Sequence, residues 1–481
     1  MRILKTLLLA GGGALALSAC VAGPNYSLPA TPASAAGTFI GSASTAVTSE
    51  PVQGDWWRLY QDPVLDRLVA EALTANTDLR VALANIERAR ALLRETRSER
   101  LPQTSIDAGA NYSRTPVDQR APGAPAEDSN FDAGLSVSYE LDLAGRVRRS
   151  IEASRADADE AQAAGDAVRV AVVAETARAY ADASSAAERI AVAERTLELL
   201  DRTVSLADKR FSAGRTSRLD VARVAALRAQ QLATIPPLRA ERDAALFRLA
   251  FLTGRAPADL PPEVGQRAAT LRLTRPLPVG DGRALLSRRP DVRQAERHLA
   301  AETARIGVAT ADLYPRITLG GSAGSTSNSI GDILGGGPLR WLAGSLISWA
   351  FPNLEGPRAR VAQAQASAKG ALASFDGTVL KALQETETGL SAYAHRLERQ
   401  RALRQAVDQA RIAARITRAQ LREGTVDSLA VLDAERTLAG AEADLALADA
   451  QVTEAQIDLF RALGGGWQGS PLQAQLPPSS T

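Results

Sequence analysis

The chain has 481 residues, 45% hydrophobic but only 4% aromatic, and a formal net charge of +2. That length admits two or three ordinary domains, and apolar content carried by alanine and leucine favours long, closely packed helices over a thick aromatic core. Near-neutral charge with no basic block set apart from acidic residues argues against nucleic acid as a partner, and a single cysteine, Cys20, excludes an internal disulfide.

Met1 to Lys5 is a basic start, and Thr6 to Ala19 is apolar, small and too short to span a bilayer. Residues 1–19 therefore read as a signal peptide. It ends Leu17-Ser18-Ala19-Cys20, which resembles a bacterial lipobox, where cleavage leaves Cys20 first in the chain and acyl chains are attached to it. An ordinary signal peptide with a stray cysteine is the alternative. More than one acyl chain gives stable anchoring, at ~0.8 kcal/mol per buried methylene. Val21 replaces the aspartate that retains such lipoproteins at the inner membrane, so the outer membrane is favoured. No later run is apolar for about 18 residues. A mature chain that crosses a membrane must then do so as a closed β-barrel.

Residues 20–55 are rich in Pro, Ala, Ser, Thr and Gly and read as a tether or strap, closed by Asp55-Trp56-Trp57. From Pro63 to about Arg100 the pattern is helical, with Leu65, Leu68, Val69, Ala72 and Leu73 at i, i+3, i+4 spacing; a second helix starts at Asp78. Two alternating runs follow, Ile106 to Tyr112 and Phe131 to Tyr139, with a loop between them at 115–130. They read as strands, each half-buried. Gly145-Arg146 opens a helical pattern reaching about Phe211, ~100 Å at 1.5 Å per residue, longer than globular helices run. A return helix covers about Ser217 to Leu252, and Ile235-Pro236-Pro237 predicts a kink or break in it. Residues 256–282 have many prolines and no period, and read as a linker.

The programme then repeats over 283–464, matching 56–255. A helix runs from Asp291 to Tyr314, strand-like runs cover 316–325 and 340–351, a second long helix runs from Gly356 to Arg422, and a return helix covers 427–463. Asp78 and Leu101 are 23 positions apart, as are Asp291 and Tyr314; Gly214 and Gly254 are 40 apart, as are Gly424 and Gly464. Landmarks offset by 210 to 213 positions require an internal duplication. Residues 465–481 form a Gly/Pro/Gln/Ser-rich tail.

Each long helical pair turns at a glycine, Gly214 or Gly424, because glycine takes the left-handed helix-ending conformation without steric penalty. Leu219 follows the first tip and Leu429 the second, with Asp427 or Ser428 available to cap the second return helix. Two helical hairpin tips in one chain are the main clue to function. Leu429, Asp433 and Arg436 lie at i, i+4 and i+7 on one helix face; repeat one offers Asp220, with Arg223 where repeat two has Asp433.

Four short strands cannot close a barrel, since membrane barrels begin at about eight. A dimer supplies eight strands and a packed interior; a trimer supplies twelve and more room. Four stretches carry a resemblance at this point: Cys20-Val21-Ala22-Gly23-Pro24-Asn25-Tyr26-Ser27-Leu28-Pro29, Tyr139-Glu140-Leu141-Asp142-Leu143-Ala144-Gly145-Arg146, the paired tips, and Ala462-Leu463-Gly464-Gly465-Gly466-Trp467. Together they resemble a TolC-type outer-membrane efflux protein of the lipoprotein branch often called NodT-like, over nearly all of the mature chain. The resemblance implies a mainly α fold with a small β part. Long hairpins form a periplasmic α-barrel, and trimerisation completes a twelve-stranded transmembrane β-barrel. A mixed belt would come from 254–282 and the two termini. It implies a homotrimer in outer-membrane lipid that serves as exit duct for a tripartite pump. A periplasmic adaptor (membrane fusion protein) would dock near Gly214, Leu219, Asp220 and Gly424, and an inner-membrane RND-type transporter would supply energy. In related channels a leucine and an aspartate at the positions of Leu429 and Asp433 ring the periplasmic constriction, and an arginine matching Arg436 helps hold it shut. Three such carboxylates around an axis would attract cations. Some relatives carry a second aspartate where this chain has Ala430, so the acidic ring is thinner here, and repeat two is the expected gate.

Trp341, Trp349 and Tyr139 lie at strand ends, as interfacial aromatics or as plain sheet packing. His298 and His395 have no second ligand at a metal spacing, and no nucleophile elbow, phosphate loop or aspartate–histidine set is evident. The reading is therefore not an enzyme: no catalytic residue, no metal and no cofactor beyond lipid on Cys20. Two other readings remain: a pore-free tethering lipoprotein built as a coiled-coil rod, and a periplasmic enzyme on a helical scaffold. The duplicated helix–strand–helix order weighs against the first, since a rod needs no strand pairs.

Overall fold

The computed structural model describes residues 21–43, 46–273, 275–334 and 339–467. The signal peptide, Cys20 and the tail beyond Trp467 lie outside the described residues. In chain order the elements are β1 (Val47–Thr48), α1 (Pro63–Ala75), α2 (Thr77–Ser98), β2 (Gln103–Arg114), β3 (Glu127–Leu141), α3 (Arg146–Ser212), α4 (Arg218–Ala233), α5 (Ile235–Leu252), β4 (Leu277–Pro278), α6 (Gly282–Arg288), α7 (Pro290–Ala311), β5 (Arg316–Ser327), α8 (Ile330–Leu334), β6 (Leu339–Ser348), α9 (Glu355–Glu423) and α10 (Ser428–Ala462). The chain divides into two compact units. One holds residues up to Pro29 with Asn85–Gln162 and Gln294–Asp376; the other holds Ala30–Ala84, Ala163–Arg293 and the chain from Gly377.

The first unit carries one four-stranded antiparallel sheet in the order β2-β3-β5-β6. Each repeat supplies a hairpin, and β3 pairs with β5 across the repeats, with Leu135 opposite Ala323 and Tyr139 opposite Leu319. The strands are longer than alternation alone suggests. β3 begins at Glu127, inside the segment read as loop, because Asp128 and Asn130 pair into the ladder opposite Ser113 and Asn111. Expected to be half-buried, β2 is instead exposed along nearly its whole length, and β6 is exposed throughout. The central strands β3 and β5 are partly exposed, and among the described residues the outer strands β2 and β6 leave their far edges unpaired. An open edge with apolar residues such as Trp341, Leu342 and Leu346 beside it is a template for pairing with another chain. In the same unit α3 meets α7 through alanines, Ala156 against Ala300 and Ala301, with Tyr26 packed on them. Small side chains let helix backbones approach closely.

The second unit contains the main hydrophobic core. Trp56 is fully buried, its ring stacked on Phe460 at 4.7 Å and edge-on to Trp57 at 6.2 Å. Around it lie Leu65, Leu68 and Val69 of α1, Val173, Ala177 and Tyr180 of α3, Leu249 and Leu252 of α5, Leu390 and Tyr393 of α9, and Val452 and Leu459 of α10. Asp62 starts α1 by accepting from the Val64 and Leu65 N–H groups at 2.9 and 3.1 Å, with Pro63 in the first turn where its missing N–H is harmless. The segments read as tether and linker take part in this core. Phe39 and Val52 are buried, as are Val264, Leu271, Leu277 and Val279, and β1 pairs in parallel with β4, Val47 opposite Leu277. Neither stretch has a period of its own because its apolar residues fill gaps between helices. The predicted break occurs at Thr234: α4 ends at Ala233, and Pro236 and Pro237 occupy the first turn of α5, where they displace no helical hydrogen bond.

Candidate functional site

Both hairpin tips are built by the same local rules. After α3, Gly214 has φ +68°; its N–H donates to the Phe211 carbonyl at 2.9 Å, and the Arg215 N–H reaches Arg210 at 2.8 Å. After α9, Gly424 has φ +76°; its N–H donates to Leu421 at 3.2 Å, and the Thr425 N–H reaches Gln420 at 3.0 Å. These bonds satisfy carbonyls that a helix end otherwise leaves bare. Of the two capping candidates at the second tip, Asp427 starts α10, its Oδ1 accepting from the Ala430 N–H at 2.9 Å.

The two tips use their acidic residues differently. Asp220 closes a capping box with Ser217: the Asp220 N–H donates to Ser217 Oγ, while Asp220 Oδ2 accepts from Ser217 Oγ at 2.7 Å, Thr216 Oγ1 at 2.9 Å and the Ser217 N–H at 3.2 Å. The Ser217 and Thr216 hydroxyls hold the Asp220 carboxyl below the usual carboxylate range, and Arg223 at 3.9 Å adds to this. Leu219 is exposed beside it. On α10, Leu429 is 49% exposed, and Asp433 and Arg436 are exposed as well. Among the described residues no ion pair joins Asp433 to Arg436. Arg436 lines a cavity of about 340 Å³ with Thr196, Leu200, Leu227, Gln231 and Gly440, between α3, α4 and α10.

What fixes α10 against α9 is a feature the sequence reading missed. Arg404, Arg411 and Arg418 are spaced seven apart on α9, and Asp449, Glu442 and Glu435 are spaced seven apart on α10. They pair as rungs: Arg404 to Asp449 at 3.7 Å, Arg411 to Glu442 at 2.9 Å, and Arg418 to Glu435 through both ends of its guanidinium. All three pairs are centred on the same point of the turn, between Val426 and Asp427, so the heptad charge pattern was the available signal. The arginines are 42% to 60% exposed, and such pairs contribute at most about 1 kcal/mol each. Their main effect is to fix the register of an antiparallel coiled coil. Ala410, Ala414 and Leu438 form the apolar seam between the rungs.

The remaining singled-out residues disperse. His298 meets Glu160 and His395 meets Glu398, both at 3.1 Å. Trp349 stacks on Phe351 at 4.7 Å and donates to the Leu313 carbonyl at 3.1 Å, while Trp341 is 74% exposed.

Comparison with known proteins agrees with this architecture. The family model described as outer membrane efflux protein matches residues 68–255 and 282–465. Outer membrane protein OprJ of Pseudomonas aeruginosa is 33% identical, with 94% of both chains covered. Nodulation protein T of Rhizobium leguminosarum bv. trifolii is 30% identical over 94% of this chain and 96% of its own. Among solved structures, the outer-membrane channel OprN superimposes with a TM-score of 0.86 at 38% identity, covering 93% of this chain and all of that one. A duplicated helix–strand–helix programme, a four-stranded sheet with open edges and two glycine-tipped helical hairpins thus occur together in a chain that belongs to the outer membrane efflux protein family.

Proposed function

We propose that three copies of this chain assemble into the exit duct of a tripartite export system, gated at the second hairpin tip. The observation that carries the reading is the four-stranded open sheet, whose outer edges are unpaired among the described residues and whose last strand exposes Trp341, Leu342 and Leu346. Three such sheets joined edge to edge give twelve strands, enough for a barrel with a lumen. A pore-free tether has no use for that sheet. Inside a closed barrel alternate residues of β6 face hydrocarbon and the lumen, and every strand N–H and carbonyl finds a partner.

The duct performs no chemistry of its own. Leu429, Asp433 and Arg436 sit exposed on one face of α10, with no intrachain partner for the two charges among the described residues. That leaves them free to meet their counterparts in neighbouring copies. Three Asp433 carboxylates around the axis, with Arg436 beneath, form the constriction. The first tip, where Asp220 is held in a cap, serves with Gly214, Leu219 and Gly424 as the docking ground for a periplasmic adaptor, and an RND-type inner-membrane transporter supplies the energy. Acyl chains on Cys20 hold the chain start in outer-membrane lipid. Native mass measurement of the detergent-extracted protein tests the assembly: three copies are expected, and a folded monomer or dimer overturns it.

A further inference from the structure

We propose that Arg272, in the segment between the repeats, is a positioning residue that clasps the two hairpins together and limits how far the second can move. The proposal rests on the gating assigned above.

Thr270-Leu271-Arg272 bridges two helices of the second unit, α3 and α10. The Thr270 N–H donates to Glu188 Oε2 of α3 at 2.7 Å. Leu271 is fully buried, and its carbonyl accepts from Thr453 Oγ1 of α10 at 2.7 Å. Arg272 Nη2 lies 3.4 Å from Glu188 Oε1 and 2.6 Å from Asp449 Oδ2. One guanidinium therefore spans a carboxylate of the first hairpin and one of the second. Asp449 is 5% exposed and is also the top rung of the charge ladder, taking Gln400 and Arg404 from α9. The clasp thus engages both helices of hairpin two and the outgoing helix of hairpin one.

Its place along the helices gives it leverage. Tipward of Glu188 on α3 and of Asp449 on α10 lies the cavity of about 340 Å³ that Arg436 lines. A helix packed around a void is less restrained than one in a filled core. The fixed point is therefore at the clasp, and the movable length of α10 runs from there to the tip. Both carboxylate contacts of Arg272 come from Nη2 at the far end of the guanidinium, and a lysine side chain is shorter than arginine, so it keeps the charge but reaches the two carboxylates less well.

Removing Arg272 leaves Asp449 with Gln400 and Arg404, and Glu188 with the Thr270 N–H, so neither carboxylate is orphaned and the fold should persist. The test places cysteines at Leu199 of α3 and Ala439 of α10, which both line the cavity, and measures cross-linking by bifunctional thiol reagents of graded length. With Arg272→Gln, short reagents should cross-link several-fold more slowly and long ones faster, and Arg272→Lys should fall between. Quiet closures in bilayer recordings should shorten several-fold while the fully open level stays fixed, which a general loss of structure would not produce. Unchanged cross-linking in folded Arg272→Gln overturns the proposal. If that variant does not fold, Glu188→Gln carries the same measurement, and unchanged cross-linking there overturns it. Cross-linking is read without transport, so a chain that fails to conduct leaves this result standing by itself.

Discussion

Arg149 holds the start of the described chain in place, and its removal should free that segment specifically. The side chain is 3% exposed on α3. Its Nε donates to the Ala22 carbonyl at 3.1 Å, and its Nη2 donates to the Gly23 carbonyl at 3.3 Å and to Asn25 Oδ1 at 2.8 Å; Nη1 meets Glu152 at 2.7 Å. Arg149→Met keeps most of the stem and deletes three bonds to residues 22–25. A hydrogen bond to a charged group contributes ~1.5–3 kcal/mol, but the three share one ordered head and the freed carbonyls regain water, so the loss is set at about 3 kcal/mol. At 1.4 kcal/mol per tenfold, the segment should open roughly a hundredfold more often. The Ala22 N–H, bonded to the Ala144 carbonyl at 3.0 Å, reports this opening by hydrogen exchange. Its exchange should accelerate by that factor in Arg149→Met and less in Arg149→Lys, while the amide of buried Ala301 is unaffected. An unchanged Ala22 rate, or an equal rise at Ala301, refutes the reasoning.

Gly424→Ala should reduce stability by about 1 kcal/mol, because alanine resists the left-handed conformation while its added Cβ meets nothing within 4 Å. At Gly464 the φ is similar at +67°, but the Cβ would lie 3.1 Å from Arg289 Cγ, so thermal melting should rank Gly464→Ala as the worse; equal losses contradict this. Burial, reinforced by the charge of Glu454 and opposed by Arg178 and Arg248, pushes the Asp182 carboxyl up from 3.8 to about 6. The fold thus favours the protonated form, a contribution complete below pH 3.8 and lost as pH rises through 6. Asp182→Asn should raise stability at neutral pH and flatten the profile between those values in denaturant titrations; an unaltered slope would falsify the assignment. Phe247 and Phe251 lie one turn apart on α5, each 56% exposed. If they face a neighbouring copy, the double Ser variant should lower the temperature at which oligomers dissociate on gels while leaving helix content intact.

Local rules carried the helices and tips. Periodicity placed the long helices to within a few residues, and the turns at Gly214 and Gly424 follow from the need for positive φ at a helix end. Strand ends were less legible, since Asp128 and Asn130 are poor strand formers that only the ladder with β2 recruits. Long-range contacts left no local trace. Nothing in Val47-Thr48 points to Leu277-Pro278, nor anything in Arg272 to Glu188 and Asp449. The heptad charges of α9 and α10 were an exception in principle: pairing them about the turn between Val426 and Asp427 gives the rungs. At the candidate gate, the face shared by Leu429, Asp433 and Arg436 follows from helical spacing, whereas the capping role of Asp220 becomes visible only with Thr216 and Ser217 folded around it.

The central claim is a duct closed by the second hairpin, and single-channel recording of the purified protein in planar bilayers tests it most directly, wild type beside Asp433→Ala. The account predicts a small resting conductance in the wild type that rises in the variant, since removing the carboxylate at each copy loosens the constriction. No conductance from either protein, once shown to be folded and inserted, or conductance that is the same in both, would contradict it.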